Sequence, residues 1–243
     1  MTESRRSGFV RLLSWLGGHE RGTLLTVAGI MAGVWMFGWL ADEVFEGSTR
    51  NFDRTLLLAM RSPGLALLGP PWVQQGARDI TALGSAAILG LLTAITAVYL
   101  ALDGKRHMAL FTCGSVAGGW VVSALLKDLF QRPRPDIVPY GVDFSSSSFP
   151  SGHSMMSAVT YLVLGALLAR SQVRRSLKAY FLLVAVILTL MVGISRVYLG
   201  VHWPSDVVAG WTAGAVWALL CWLVAQRLQA RHALERETEH GSS

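Results

Sequence analysis

His202 and Asp206 stand four residues apart, and Pro204 between them suits the first position of a helix. At that spacing Asp206 reaches back to one ring nitrogen of His202, fixes its tautomer and leaves the other nitrogen free to attack. A second imidazole, His153, has no carboxylate near it in sequence and suits a general acid for a leaving oxygen. It follows Pro150-Ser151-Gly152, where a helix start offers free backbone N–H groups and the positive end of a dipole to an anion. Gly152 lets backbone approach such a ligand closely. Lys127, Arg134 and Arg196 are three donors with no obvious acidic partner among their neighbours. Together they would neutralise a multiply charged anion, and the arginine fork fits phosphate oxygens. The chemistry these groups imply is attack at phosphorus within a cationic cradle.

Each piece also has a plain reading. A histidine and an aspartate at that spacing often form an ordinary helix-end pair. A basic residue at the end of an apolar run sets topology or snorkels, and Pro-Ser-Gly is a common turn. Arg132, Asp128 and Asp136 read as structural or electrostatic, and Ser145 to Ser148 as a flexible loop.

The elements that must position these residues follow from composition. The chain has 243 residues, 52% hydrophobic and 15% charged, with a mean hydropathy of +0.45. Soluble domains carry about 25% charged residues, so this chain lacks the polar surface to cover a globule in water. Nine Trp and 25 Gly suit membrane helices. Disordered, collagen-like and nucleic-acid-binding chains are excluded; the net charge of +6 falls between apolar runs and reads as topology control. Cys113 and Cys221 lie inside apolar runs and read as packing residues, with neither a disulfide nor a thiolate metal site implied.

A spanning helix needs about 20 mainly apolar residues. Six stretches approach this: Thr23 to Ala41, Gly84 to Leu102, His107 to Leu126, Ser154 to Ala169, Ala179 to Ser195 and Val207 to Ala225. The fourth is short and is expected to continue back through His153. The expected fold class is therefore all-α, a polytopic bundle of six transmembrane helices. With alternating sides, 13 Lys and Arg fall with the termini and 8 on the other side. The positive-inside rule places both termini in the cytoplasm and all three polar clusters at the outer boundary.

Residues 1–22, with Phe9, Val10, Leu12, Leu13, Trp15 and Leu16 around Arg11, are expected to form a cytoplasmic amphipathic segment lying on the membrane. The first apolar run is longer than a signal-peptide core, has no convincing cleavage site, and is expected to stay as an anchor. Residues 23–226 would hold the six spans and 227–243 a cytoplasmic tail. Within the extracytoplasmic segment 42–83, Phe52 to Met60 and Trp72 to Leu83 are weakly amphipathic. They read either as short interfacial helices or as a packed loop.

In combination the clusters are more specific. Lys127 through Arg134-Pro135 has the pattern K-x6-R-P, Pro150 to His153 is P-S-G-H, and Ser195-Arg196 through His202 to Asp206 is S-R-x5-H-x3-D. This resembles the tripartite signature of the type-2 phosphatidic acid phosphatase superfamily, in order and in internal spacing. The resemblance implies that His202 forms a phosphohistidine, that Asp206 orients it and that His153 protonates the departing group. It implies that Lys127, Arg134, Ser151, Gly152 and Arg196 bind the phosphate oxygens, with no metal and no cofactor. Soluble vanadium haloperoxidases share the signature, but the six spans argue against that branch.

The expected activity is hydrolysis of a lipid phosphate or diphosphate on the outer leaflet. Undecaprenyl pyrophosphate, phosphatidylglycerol phosphate, phosphatidate, diacylglycerol pyrophosphate and lipid A are the candidate substrates the family suggests. A phosphotransferase acting between lipids keeps the same chemistry, and an anion transporter would use the cations alone. The expected place is a bacterial inner membrane with a periplasmic site, the expected partners membrane lipids and no nucleic acid. Nothing in the sequence sets the oligomeric state.

Overall fold

The structure, a computed structural model, describes the backbone of residues 3–136 and 147–240 and the side chains of residues 22–136 and 147–228. Eight helices follow in order: α1 (Glu3–Glu46), α2 (Arg50–Leu58), α3 (Pro71–Ala82), α4 (Ala86–Leu102), α5 (Arg106–Phe130), α6 (Gly152–Ser171), α7 (Arg175–Tyr198) and α8 (Pro204–His240). Among the described residues there is no strand, only an isolated bridge between Arg61 and Leu67. The all-α expectation holds.

Five of the helices are long and apolar enough to cross a membrane by themselves. The sixth expected span is α4, whose 17 residues rise about 26 Å. It is joined to α3 through a 49° bend at Leu83 to Ser85. Ser85 starts α4 by accepting a hydrogen bond from the Ile88 N–H. The fourth span does continue through His153, since α6 begins at Gly152. The expected boundary near residue 22 shows no break in the backbone, because α1 is one helix from Glu3. In the segment between the first two spans, α2 and α3 occupy the two amphipathic stretches.

Helix α6 lies at the centre, packed against α5, α7 and α8, and it is the most buried of the spans. The outward faces of α1, α4, α5 and α7 carry exposed Trp35, Leu102, Leu125 and Leu183, the composition a lipid-facing surface requires. Where α8 meets α6, Gly210 and Gly214 form a G-x-x-x-G spacing. A Cβ on Gly210 would sit 2.7 Å from the Ser151 carbonyl oxygen, and one on Gly214 would sit 2.5 Å from that of Met155. Backbone thus packs on backbone, which holds membrane helices together where no hydrophobic drive exists between them. The close approach also lets the Ser151 N–H donate to the Asp206 carbonyl at 2.9 Å, so the start of α6 is fixed to the start of α8.

Gly214→Ala is accordingly expected to lower stability by about 1–3 kcal/mol through overpacking. Gly38→Ala in α1, where an added Cβ meets nothing within 4 Å, should be neutral. Thermal unfolding midpoints in detergent compare the two, and equal midpoints would contradict the close packing of α6 on α8.

Candidate active site

All eight residues singled out in the sequence lie at one end of the bundle, at the end of α5, the start of α6, the end of α7 and the start of α8. Several chain reversals make this possible. Gln131 ends α5 in the left-handed region, at φ +42°, and turns the chain into Arg132-Pro133-Arg134. Gly200, at φ +75°, closes α7 with its N–H on the Val197 carbonyl, while Val201 N–H reaches Arg196. Glycine suits this helix-ending position because it carries no Cβ penalty there. The chain then enters α8 within a few residues, with His202 and Asp206 on either side of Pro204.

His202 is 1% exposed and Asp206 is fully buried. His202 Nδ1 lies 3.5 Å from Asp206 Oδ2 and 3.3 Å from Ser148 Oγ, and Ser148 Oγ in turn donates to Asp206 Oδ2. On the other side of the ring, Nε2 lies 3.3 Å from Arg134 Nη1. A guanidinium can only donate, so Nε2 is the acceptor and Nδ1 carries the proton. The basic nitrogen therefore faces the cationic cluster. Burial pulls the His202 imidazole down to about 4 against the opposing pull of Asp206, so the ring is neutral and nucleophilic at physiological pH.

Asp206 is held on every side. It accepts from the Trp203 N–H at 2.9 Å, from Ser148 and from Arg132 Nη1 at 2.5 Å. Arg132 also donates to Asp53 Oδ2 at 2.8 Å and to Ser205 Oγ at 2.8 Å, and its guanidinium lies 5.8 Å from the centroid of the Trp203 ring. The reading of Arg132 as electrostatic is thereby given a definite partner. The reading of the serine run as a flexible loop fails at Ser148, which is fully buried with its N–H on the Arg132 carbonyl. Ser145 and Ser146 lie outside the described residues. Asp128 and Asp136 take no part in the cluster's hydrogen bonds among the described residues.

The cradle proper is built around the start of α6. Ser151 is the N-cap, its hydroxyl accepting from the Ser154 N–H and from the Ser154 hydroxyl at 3.0 Å. Its N–H is already given to Asp206, so the first-turn N–H groups left for an anion are those of Gly152 and His153. Lys127 arches over this turn: a Cβ on Gly152 would sit 3.2 Å from Lys127 Cε. Lys127 Nζ meets the Ser147 carbonyl at 3.4 Å. Arg196, 6% exposed, is held by Thr81 of α3 through Nη1 at 2.9 Å. Arg134 Nη1 is fixed by the Val201 carbonyl at 3.0 Å.

His153 is half-buried, and its ring makes no hydrogen bond to protein among the described residues. The ring lies within electrostatic reach of Arg196, Lys127 and Arg134 and of the His202 imidazole, so the two imidazoles share one cationic surrounding. The ring packs on the bend between α3 and α4, where a Cβ on Gly84 would lie 3.3 Å from His153 Cδ2. Tyr161, two turns along α6, donates to the Leu83 carbonyl of the same bend at 2.8 Å.

Beside Arg134 opens a cleft of about 640 Å³, lined by Phe45, Phe130 and Phe149 as well as Arg132, Arg134 and Trp203. Phe130 and Phe149 meet edge-on at 5.0 Å between ring centroids, and Phe37 of α1 packs on both. Apolar surface and guanidinium groups thus share one cleft next to the cradle.

Comparison with known proteins bears on the family and the fold. The model of the PAP2 superfamily matches residues 108–230. Phosphatidylglycerophosphatase B of Bacillus subtilis is 34% identical over 176 residues, 72% of this chain and 84% of the relative. Decaprenylphosphoryl-5-phosphoribose phosphatase of Mycobacterium tuberculosis is 31% identical over 153 residues, 62% of this chain and 79% of the relative. The crystal structure of a transmembrane PAP2-type phosphatidylglycerolphosphate phosphatase from Bacillus subtilis superposes with a TM-score of 0.74 at 29% identity, covering 82% of this chain and 96% of that one.

Proposed function

Since this chain belongs to the PAP2 superfamily of membrane lipid phosphatases, we propose that it hydrolyses a lipid phosphate or diphosphate through a phosphohistidine on His202, at the outer leaflet. The observation that carries the mechanism is the orientation of His202. Its protonated nitrogen is held by Ser148 and Asp206, and its basic nitrogen is turned toward Arg134.

In the first step the Nε2 lone pair attacks phosphorus. The bond from phosphorus to the leaving oxygen breaks, the ester oxygen of a monophosphate or the bridging oxygen of a diphosphate. That oxygen keeps the electron pair and takes a proton from the His153 imidazolium. Asp206 stabilises the positive charge on the phosphorylated ring. In the second step His153 takes a proton from water, the water oxygen attacks phosphorus, and the phosphorus–nitrogen bond breaks to return neutral His202 and phosphate. Splitting one difficult displacement into two is the gain from a covalent intermediate.

Phosphoryl transfer needs little covalent help beyond this, so positioning and charge stabilisation dominate. Lys127, Arg134, Arg196 and the N–H groups of Gly152 and His153 supply that charge, with the Ser151 hydroxyl placed at the same turn. Because side chains carry the positive charge, no metal is needed for these steps. A lipid substrate is supported by the cleft beside Arg134, which offers phenylalanine surface to a chain and guanidinium groups to a headgroup. An outer-leaflet site is supported by the charge asymmetry, since the cradle lies at the end of the bundle with fewer basic loop residues. A bacterial inner membrane with a periplasmic site fits that topology.

Phosphate release from purified protein in detergent tests this reading on dioctanoyl phosphatidate, dioctanoyl phosphatidylglycerol phosphate and farnesyl diphosphate. Turnover of at least one is expected to persist in EDTA and to be inhibited by vanadate, which mimics the five-coordinate phosphorus. A strict requirement for added Mg²⁺ would contradict the metal-free mechanism. Release of phosphate only when an acceptor lipid is present would identify a transferase instead.

A further inference from the structure

The segment between the first two spans contributes no residue to the motifs, yet it contains one of the most buried charges in the protein. Asp53, on α2, is 1% exposed. Its Oδ1 accepts the backbone N–H of Ser205 at 2.8 Å, in the first turn of α8. Its Oδ2 accepts the Ser205 hydroxyl at 2.6 Å and Arg132 Nη2 at 2.8 Å. The other arm of the same guanidinium, Nη1, is on Asp206 Oδ1. One arginine therefore spans two buried carboxylates, and the second of these orients the proposed nucleophile.

We infer that Asp53 is a positioning residue for phosphoryl transfer, acting through Arg132 on Asp206. This rests on the proposed role of His202 and goes beyond it by bringing α2 into the working site. Two carboxylates share one guanidinium charge, so Asp206 is held in place by Arg132 without being neutralised by it. The remaining negative charge faces His202 Nδ1, where the positive charge of a phosphohistidine develops. Removing the charge at position 53 leaves Arg132 to settle on Asp206 alone, which weakens the stabilisation of that charge and frees the fork to rotate. The side-chain bonds of Asp53 go to Arg132 and Ser205 and to none of the cradle cations, so KM is expected to change little.

A purely structural role for Asp53, as a cap on α8, would produce a different pattern. Asp53→Asn separates the two, because the amide oxygen still accepts the Ser205 N–H while the charge is gone. The experiment measures kcat, KM and the thermal midpoint of the full-length protein in detergent, on whichever of the three lipid substrates above the wild type turns over fastest. The set is wild type, Asp53→Asn, Arg132→Gln, the double variant and His202→Ala.

Asp53→Asn is expected to lower kcat by about 10- to 100-fold, as loss of an orienting partner does, with KM within about twofold of wild type. The double variant is expected to be no slower than Arg132→Gln alone, since both changes cut the same link. If Arg132→Gln does not fold, Arg132→Lys replaces it. A kcat for Asp53→Asn within about twofold of wild type overturns the inference. So does a multiplicative loss in the double variant, or a loss matched by the unfolded fraction. Activity persisting in His202→Ala, or turnover of none of the three lipids, would instead overturn the phosphatase mechanism on which the inference stands.

Discussion

Replacement of His202 by alanine is expected to lower kcat by at least about 10⁴-fold, the scale seen when a nucleophile that acts as part of a unit is removed. Among the described residues no other side chain stands at the cradle with a basic nitrogen already free of its proton and an acid behind it. KM should change little, because Lys127, Arg134 and Arg196 remain to bind the phosphate. The fold should survive, since the start of α8 is held by the Ser151–Asp206 backbone bond and by Asp53 on Ser205. Phosphate release and thermal midpoints on the same preparations check both halves of the expectation. Turnover near that of the wild type would exclude His202 as the attacking group.

Asp206→Asn should have nearly as large an effect, lowering kcat by about 10³- to 10⁴-fold. The comparable change in serine-protease triads leaves the geometry intact but selects the wrong imidazole tautomer. Here the carboxylate accepts from Trp203, Ser148 and Arg132 together and also faces His202 Nδ1. An amide has one acceptor oxygen, so its NH₂ must point at another donor, Arg132 or Ser148. With Arg132 deprived of one of its two carboxylates in a buried setting, stability falls as well. The expected signature is a fall in kcat far beyond any fall in folded fraction. A loss of kcat explained by unfolding alone would make Asp206 a structural residue.

Much of this was legible in the sequence, and the boundary between what was and was not has a physical basis. Spans follow from hydropathy, which needs no knowledge of contacts, and each motif is local enough for its internal spacing to carry meaning. His202 and Asp206 belong to one turn, as do Ser151, Gly152 and His153. Even the start of α6 could be placed, because the Pro-Ser-Gly run before His153 and the short fourth run pointed to the same position.

The partners that complete the site are separated by long stretches of chain. Ser148 lies 54 residues from His202, in a run of serines that reads as loop because nothing local marks one of the four as buried. Arg132 is 74 residues from Asp206 and 79 from Asp53, and a basic residue followed by a proline carries no sign of a carboxylate partner. The one signal available was negative: Asp53 is an acid within an amphipathic stretch, and its burial depends on a helix start 152 residues away. Gly210 and Gly214 are two among 25 glycines in the sequence, and only the structure supplies α6 as the surface they meet.

The most direct measurement is rapid-quench labelling of the protein with a lipid substrate carrying ³²P in the phosphoryl group that is attacked, followed by mapping of the labelled peptide. An acid-labile, base-stable label on the peptide containing His202, formed and lost at rates that account for turnover and absent from His202→Ala, is the expected result. A label on His153 instead, or steady phosphate release by His202→Ala, would contradict the assignment of His202 as the nucleophile.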